Sequence, residues 1–568
     1  MRKLSFLTVG IAVALVACKA DLGVPNSNNP DIGQALARPG DVESFILNSY
    51  AQMQQASFGV NGSIMPSLLT MAFENASGLA NWGMGPRSAM PRAAIANSRG
   101  NPYEAENLVQ YARLPRAARV AANGVVALRK PGFTIGSVSA DQRAMAFAYL
   151  VMGAANGNLA LVYDSVSVVT PEDDVAPGAP ANLLGYAEGM AIALQQIDSA
   201  IAMSARSDAQ AATPPGFTLP ASAINATAYT STQLIQIARG WKARLRAGVA
   251  RTPAERAAVD WAAVIADANA FLPGDLILTA SAAQPAPAGA VWTVATAQHE
   301  NYDTWTQQTY MIIGMADSVR PGGAACTGGD CYDAWLATPI NSRYRILVRT
   351  ADQRFPPGET RDAQRTSSGS TPTANFPNPP AGTFRYFRNR RPTDPTGEAF
   401  AVSFYDFYRF QAFWTTNNTP MPVMTRAEMD LLMAEGYIRT GDFGNAMTKI
   451  NITRAGKGNL PLLAGITDAT SPISASGSCV PRVPQPPNFT TAACGNIMEA
   501  MKWEKRMETL LTHLGAWFID SRGWGDLPVG TPLHFPVPFQ EMDARAKPSY
   551  NLGGVGGTGA AAVGTYGF

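Results

Sequence analysis

The sequence predicts a mainly α-helical fold of paired helices, long irregular loops and a few short β segments. Apolar residues recur at helical spacing through most of the chain. Thr425 and Glu428 have capping-box spacing, and the helix they open stops at Gly441 before a second begins at once. Stretches rich in Gly, Pro and Ser, at 273–289, 353–384, 465–491 and from Asn551 onward, separate the periodic segments.

Taken in order, residues 41–56 place Phe45, Ile46, Tyr50 and Met53 on one helical face. Residues 104–128 and 140–163 are Ala-rich and amphipathic. Residues 183–204 repeat Leu184, Met190, Leu194, Ile197 and Ile201, and residues 231–249 repeat Leu234, Ile237, Trp241 and Leu245. Thr252-Pro253-Ala254-Glu255 opens another helix with a capping threonine and a first-turn proline, and Trp261, Val264, Ile265, Ala268 and Phe271 form its buried face. In the pair around Gly441-Asp442, Met429, Leu432, Met433, Gly436 and Tyr437 precede the turn, and Phe443, Ala446, Met447 and Ile450 follow it. This pair resembles a tetratricopeptide-type hairpin. No period of about 34 residues recurs, so the array is divergent rather than strictly repeated. Short β segments are expected near 344–349 and 384–388. The glycine-rich tail reads as coil.

The chain has 568 residues, 46% hydrophobic and 15% charged, enough for a large core. Without Arg2 and Lys3, the 44 basic residues become 42 and balance the 42 acidic ones. Such neutrality gives no electrostatic footprint for nucleic acid. Cys326, Cys331, Cys479 and Cys494 form two sequence-local pairs in loops. Three connectivities are possible, and local pairing is the expected one. The three histidines, His299, His513 and His534, do not stand at metal-ligand spacing from either pair, so no metal and no cofactor is expected.

The N-terminus carries Arg2 and Lys3, a short apolar run, and Leu15-Val16-Ala17-Cys18. These are the parts of a secretory signal, and the run is too short to span a bilayer, which takes about 20 apolar residues. The four-residue run resembles a bacterial lipobox. That resemblance implies a signal peptide at 1–17, acyl chains such as palmitate on Cys18, and a lipid-anchored Asn/Pro-rich tether over 18–40. One domain then fills 41–568.

Glu504-Lys505-Arg506-Met507-Glu508 is followed by Gly515-Ala516-Trp517-Phe518-Ile519-Asp520, by Arg522-Gly523-Trp524-Gly525 and by Phe535-Pro536-Val537-Pro538. This run, within a C-terminal block at about 395–550, resembles the closing block of the SusD/RagB family. The tether Val24-Pro25-Asn26-Ser27-Asn28-Asn29 and the stretch Thr453-Arg454-Ala455-Gly456 resemble that family too. Leu514, Trp517 and Ile452 depart from its usual residues. The resemblance implies a SusD-like helical fold and a non-enzymatic lipoprotein on the outside of the bacterial outer membrane. Such a protein captures a nutrient, most often an oligosaccharide, for a partner SusC-like TonB-dependent transporter.

Sugars stack on exposed aromatic rings, while amides and guanidiniums fix their hydroxyls. The loop 74–92 offers Asn75, Asn81, Trp82 and Arg87 for this, and its counterpart in the family contributes to the ligand site. Trp292, Tyr302 and Trp305, with Tyr310, form a second aromatic cluster. Lys505 and Glu508 are read as a helix-face pair, with Arg522 within reach of Glu504 or Glu508. Two other classes remain open: a tetratricopeptide-like scaffold in outer-membrane assembly, and a secreted glycan hydrolase, which needs two carboxylates facing across a cleft.

Overall fold

A computed structural model describes residues 36–58, 64–77, 83–173, 182–278, 306–316, 336–337, 347–367, 386–389, 403–407, 409 and 421–562. The periodic segments fold as helices close to their expected bounds. They are α1 (Pro39–Phe58), α2 (Met65–Met71), β1 (Ala76–Ser77), α3 (Met84–Ser88), α4 (Ala105–Leu128) and α5 (Val138–Val162). After β2 (Ser165–Val166) and β3 (Leu184–Gly185) come α6 (Tyr186–Gln210) and α7 (Ser231–Gly248). Each helix lies on the next: α1 on α4, α4 on α5, α5 on α6 and α6 on α7. The core helix α5 buries nearly every side chain from Ala146 to Val162. It is long and apolar enough to cross a membrane by composition, but 94% of that window is buried inside the protein. Glycines set the closest approaches. A Cβ on Gly124 would lie 2.3 Å from Ile46 of α1, and one on Gly153 would lie 2.7 Å from the Ala193 carbonyl oxygen of α6.

Caps fix the helix starts. Thr230 and Gln233 form a complete reciprocal capping box at α7, a pair the sequence reading passes over. The single helix expected after Thr252 is two: α8 (Pro253–Ala257) and α9 (Trp261–Asn269). Thr252 caps the first, and the Asp260 side chain accepts the Ala263 N–H at 3.0 Å to start the second. Next come β4 (Leu276–Leu278), β5 (Thr306–Gln307), α10 (Tyr310–Ile313), α11 (Arg361–Ser367), β6 (Phe387–Asn389), β7 (Tyr405–Phe407) and β8 (Met421–Met424). The expected hairpin is α12 (Arg426–Arg439) and α13 (Phe443–Gly456), and α9 packs on α12. At α12 only half of the box forms. Thr425 accepts the Glu428 N–H at 2.9 Å, but the Glu428 carboxylate turns to Arg244 of α7, at 2.7 and 2.6 Å.

β9 (Arg482–Pro484) and β10 (Ala492–Cys494) form a hairpin, with Cys479 and Cys494 joined by a disulfide. The other strands pair as β1 with β5, β2 with β3, β4 with β8 and β6 with β7, all antiparallel. Of the two expected β segments, 384–388 overlaps β6. Residues 347–349 of the other are irregular, and the rest of it lies outside the described residues. α14 (Ile497–Thr509), α15 (Ala516–Trp524) and α16 (Phe539–Ala544) complete the chain. The tail is not free coil. Leu552 accepts the Ile95 N–H at 2.8 Å, Gly553 bridges Ala94, and Ala560 bridges Pro532.

The local pairs read in the closing block are not formed. Lys505 bonds Asp520 at 2.9 Å, and Glu508 accepts the Tyr386 hydroxyl at 2.9 Å. Glu504 binds Arg354 at 2.7 and 2.9 Å, and Arg522 donates to the Leu533 and Gly248 carbonyls. An i,i+3 pair stabilises a helix by only about 0.2–0.5 kcal/mol, whereas an unpaired buried charge costs roughly 3–5 kcal/mol. The long-range partners therefore prevail. His513 lies 3.5 Å from Glu428, so its surroundings are not purely apolar.

Candidate functional site

The loop around Asn75 is built on α2, β1, α3 and the start of α4. Phe73 turns the chain after α2 with φ +59°, a left-handed conformation unusual for a bulky residue. Thr309 donates its hydroxyl to the Phe73 carbonyl at 3.2 Å, and the Arg92 guanidinium sits 5.3 Å from its ring centre. Asn75 and Arg87 point inward, at 2% and 4% exposure. Asn75 Oδ1 accepts the Thr70 hydroxyl at 3.2 Å. Arg87 Nε lies 3.8 Å from Glu106, whose Oε2 also accepts the Ser67 hydroxyl at 2.5 Å. Gly83 fits there because it has no Cβ: one would lie 2.5 Å from that same oxygen. Arg92 Nη2 reaches the Thr70 and Met71 carbonyls at 3.4 and 3.2 Å.

Burial dominates the electrostatics of this cluster. It pushes the Glu74 carboxyl up to about 8, against the hydrogen bonds it accepts from the Leu511 and Trp517 N–H groups. It raises Glu106, with Arg87 and Ser67 opposing, and lowers Arg92 to about 9, with Arg87 adding like-charge repulsion. Asn75 Nδ2 and two of the Arg92 nitrogens, Nε and Nη1, have no hydrogen-bond partner among the described residues.

The sequence places its aromatic candidates in two segments more than 200 residues apart, and the β1–β5 ladder joins the described ends of both. Ala76 pairs with Gln307, and Ser77 with Thr306. The chain following Ser77 runs toward Trp82, and the chain entering Thr306 comes from Trp305. Because the pairing is antiparallel, both segments leave the same end of the ladder. Asn81, Trp82, Trp292, Tyr302 and Trp305 themselves lie outside the described residues, as do Cys18, Cys326 and Cys331. Tyr310 of the second cluster is buried at 2%.

Ser67, Glu74, Arg92 and Glu106 belong to this cluster and were missed from sequence. Only their closeness to Asn75 in the chain, for three of them, hinted at it. The carboxylates Glu504 and Glu508 are buried at 0% and 2% and engaged by Arg354 and Tyr386.

No protein-family model and no curated protein matches this chain. Among solved structures, a SusD homolog from Parabacteroides distasonis is 11% identical, with 85% of this chain and 84% of that chain covered and a TM-score of 0.49. A SusD superfamily protein from Bacteroides thetaiotaomicron is 12% identical, with coverages of 89% and 96% and a TM-score of 0.48. A SusD-like carbohydrate binding protein from Bacteroides vulgatus is 11% identical, with coverages of 86% and 84% and a TM-score of 0.45. Over most of its length the chain is similar to these SusD-like structures.

Proposed function

We propose that this protein is a SusD/RagB-type capture protein, anchored through Cys18 to the outer membrane and facing the cell exterior. It binds an oligosaccharide and delivers it to a SusC-like TonB-dependent transporter. The observation that carries the reading is the β1–β5 ladder, which gives the Trp82 and Trp305 segments one shared take-off point. Aromatic rings suit the apolar faces of a sugar chain. Asn75 and Arg87, being buried, act here as the frame of the loop. The closing block and lipobox quoted above support the family and the anchor.

The test is calorimetric titration of a glycan panel against the wild-type chain, Trp82→Ala and Trp305→Ala. Each substitution is expected to weaken the best glycan at least tenfold, about 1.4 kcal/mol. Unchanged affinity in both variants would remove the site. Cys18→Ser is expected to release the protein from membranes with glycan affinity intact, and co-purification of a barrel transporter with the wild-type chain tests the partner.

A further inference from the structure

A second cavity, of about 240 Å³, lies far along the chain from the Asn75 cluster, where the start of α8, the end of α15 and the C-terminal strap meet. Arg251 and Arg522 line it together with Pro253, Leu527, Leu533 and Ala561. Both arginines are 1% exposed. Other buried arginines of this protein, Arg244, Arg256, Arg354 and Arg506, each grip a carboxylate. Arg251 and Arg522 form no ion pair among the described residues. Arg251 Nη2 donates to the Ala160 and Tyr163 carbonyls at 2.6 and 2.9 Å, and its plane lies 3.8 Å from the centre of the Tyr186 ring. Its Nε and Nη1 have no hydrogen-bond partner among the described residues. Arg522 donates from Nη1 to the Leu533 carbonyl and from Nη2 to the Gly248 carbonyl, at 2.9 and 3.0 Å, and its Nε has no hydrogen-bond partner among the described residues.

The nearest acids are committed elsewhere. Glu255 accepts the Arg251 backbone N–H at 2.9 Å, and Asp164 accepts the Tyr550 hydroxyl at 2.7 Å. His534 cannot supply a negative charge, and burial with the two guanidiniums drives it down to about 3, so it stays neutral. Burial lowers both arginines, Arg251 to about 10 against the pull of Tyr186, Asp164 and Glu255, and Arg251 lowers Arg522 further against Glu255 and Tyr186. Two buried guanidiniums with spare N–H groups and no ion pair among the described residues favour a bound anion, since buried charges in proteins are paired. Apart from Thr252 the remaining wall is apolar, and the volume equals about eight molecules of liquid water.

We propose that this cavity binds a small organic carboxylate, its head between Arg251 and Arg522 and its compact apolar body against Pro253, Leu527, Leu533 and Ala561. The guanidinium fork matches a carboxylate geometrically, and the alkyl wall favours a body over a bare ion.

Benzoate and inorganic phosphate serve as probes, titrated calorimetrically into the full chain at constant ionic strength, with melting temperature read in parallel. Benzoate is expected to bind at one site and to raise the melting temperature with concentration. Ala561→Leu fills the cavity without touching a guanidinium and is expected to abolish that binding while the protein stays folded. Arg522→Lys keeps the charge but loses the fork, and is expected to weaken benzoate at least about tenfold. If Arg522→Lys does not fold, Ala561→Leu alone carries the test. Absence of benzoate binding, phosphate binding as tight as benzoate, or undiminished binding in Ala561→Leu would each overturn the proposal.

Discussion

Glu74 holds its proton in the folded protein across a range where a free carboxyl loses it. Its carboxyl titrates near 8 rather than at 4.5 because burial penalises the charged form. Between these values the unfolded chain releases a proton that the folded chain keeps, so stability falls as pH rises from about 4.5 to 8. Glu74→Gln keeps the acceptor for the Leu511 N–H, 2.7 Å away, and removes the titration. Between pH 5 and 8 the unfolding free energy of the variant, relative to wild type, is expected to rise by a few kcal/mol at about 1.4 kcal/mol per pH unit. Urea melts at the two pH values measure it, and parallel curves would refute the burial account. Glu435 runs the other way. Burial opposes its charge, but Arg256 outweighs burial and holds it down at about 2. Its contribution is therefore fully present above the ordinary value of 4.5 and is lost as pH falls toward 2. Arg256 grips it at 2.9 and 2.6 Å with both side chains fully buried. Glu435→Ala leaves that guanidinium with only Asp520, 3.1 Å away, as counter-charge, and is expected to cost about 3–5 kcal/mol in a urea melt. A loss under about 1 kcal/mol would place the pair among the weak surface-like ones.

The helix array depends on close approach at glycine. Gly153 of α5 faces the Ala193 carbonyl of α6, and an added Cβ would lie 2.7 Å from that oxygen. Alanine gains about 0.5–1 kcal/mol of helix propensity over glycine, but overpacking costs roughly 1–3 kcal/mol, and a backbone atom cannot swing aside. Gly153→Ala is therefore expected to lower the urea midpoint, and a raised midpoint would show that α5 and α6 separate freely. At this scale much was legible in the sequence, because caps and helical periods are local. Thr425, Gly441 and Asp442 announced the α12–α13 hairpin. Asp260 was legible as a cap but was overrun by the apolar period that continues through it. Partners such as Arg354 with Glu504 are 150 residues apart, and no local spacing reveals them. The candidate site divides the same way. Asn75 and Arg87 were visible as polar residues in a glycine-rich loop, but their inward direction depends on Glu106 of α4 and Thr70 of α2. The meeting of the two loops depends on a strand pairing only two residues long, too short to carry a readable pattern.

Across the whole molecule, Asn97 joins the early chain to its far end. Its amide donates to the Val537 and Tyr550 carbonyls at 2.8 and 3.1 Å, and its oxygen accepts the Phe539 N–H at 2.9 Å. Its own N–H goes to the Asn551 side chain at 2.9 Å. Asn97→Ala orphans buried groups at about 1–3 kcal/mol each. Hydrogen exchange at Phe539 and Ile95 is expected to quicken while α5 amides stay protected, and uniform exchange would mean that the strap and the helix array open as one unit. The clasp also bears on biosynthesis. Asn97 leaves the ribosome more than 400 residues before its partners exist. Until then the segment around Ile95 and Asn97 is held only by near neighbours such as Asn107, which donates to the Asn97 oxygen at 3.1 Å, so the first half of the chain cannot finish folding ahead of the second. A polypeptide built this way stays incompletely closed through most of its synthesis, which would suit the export proposed above.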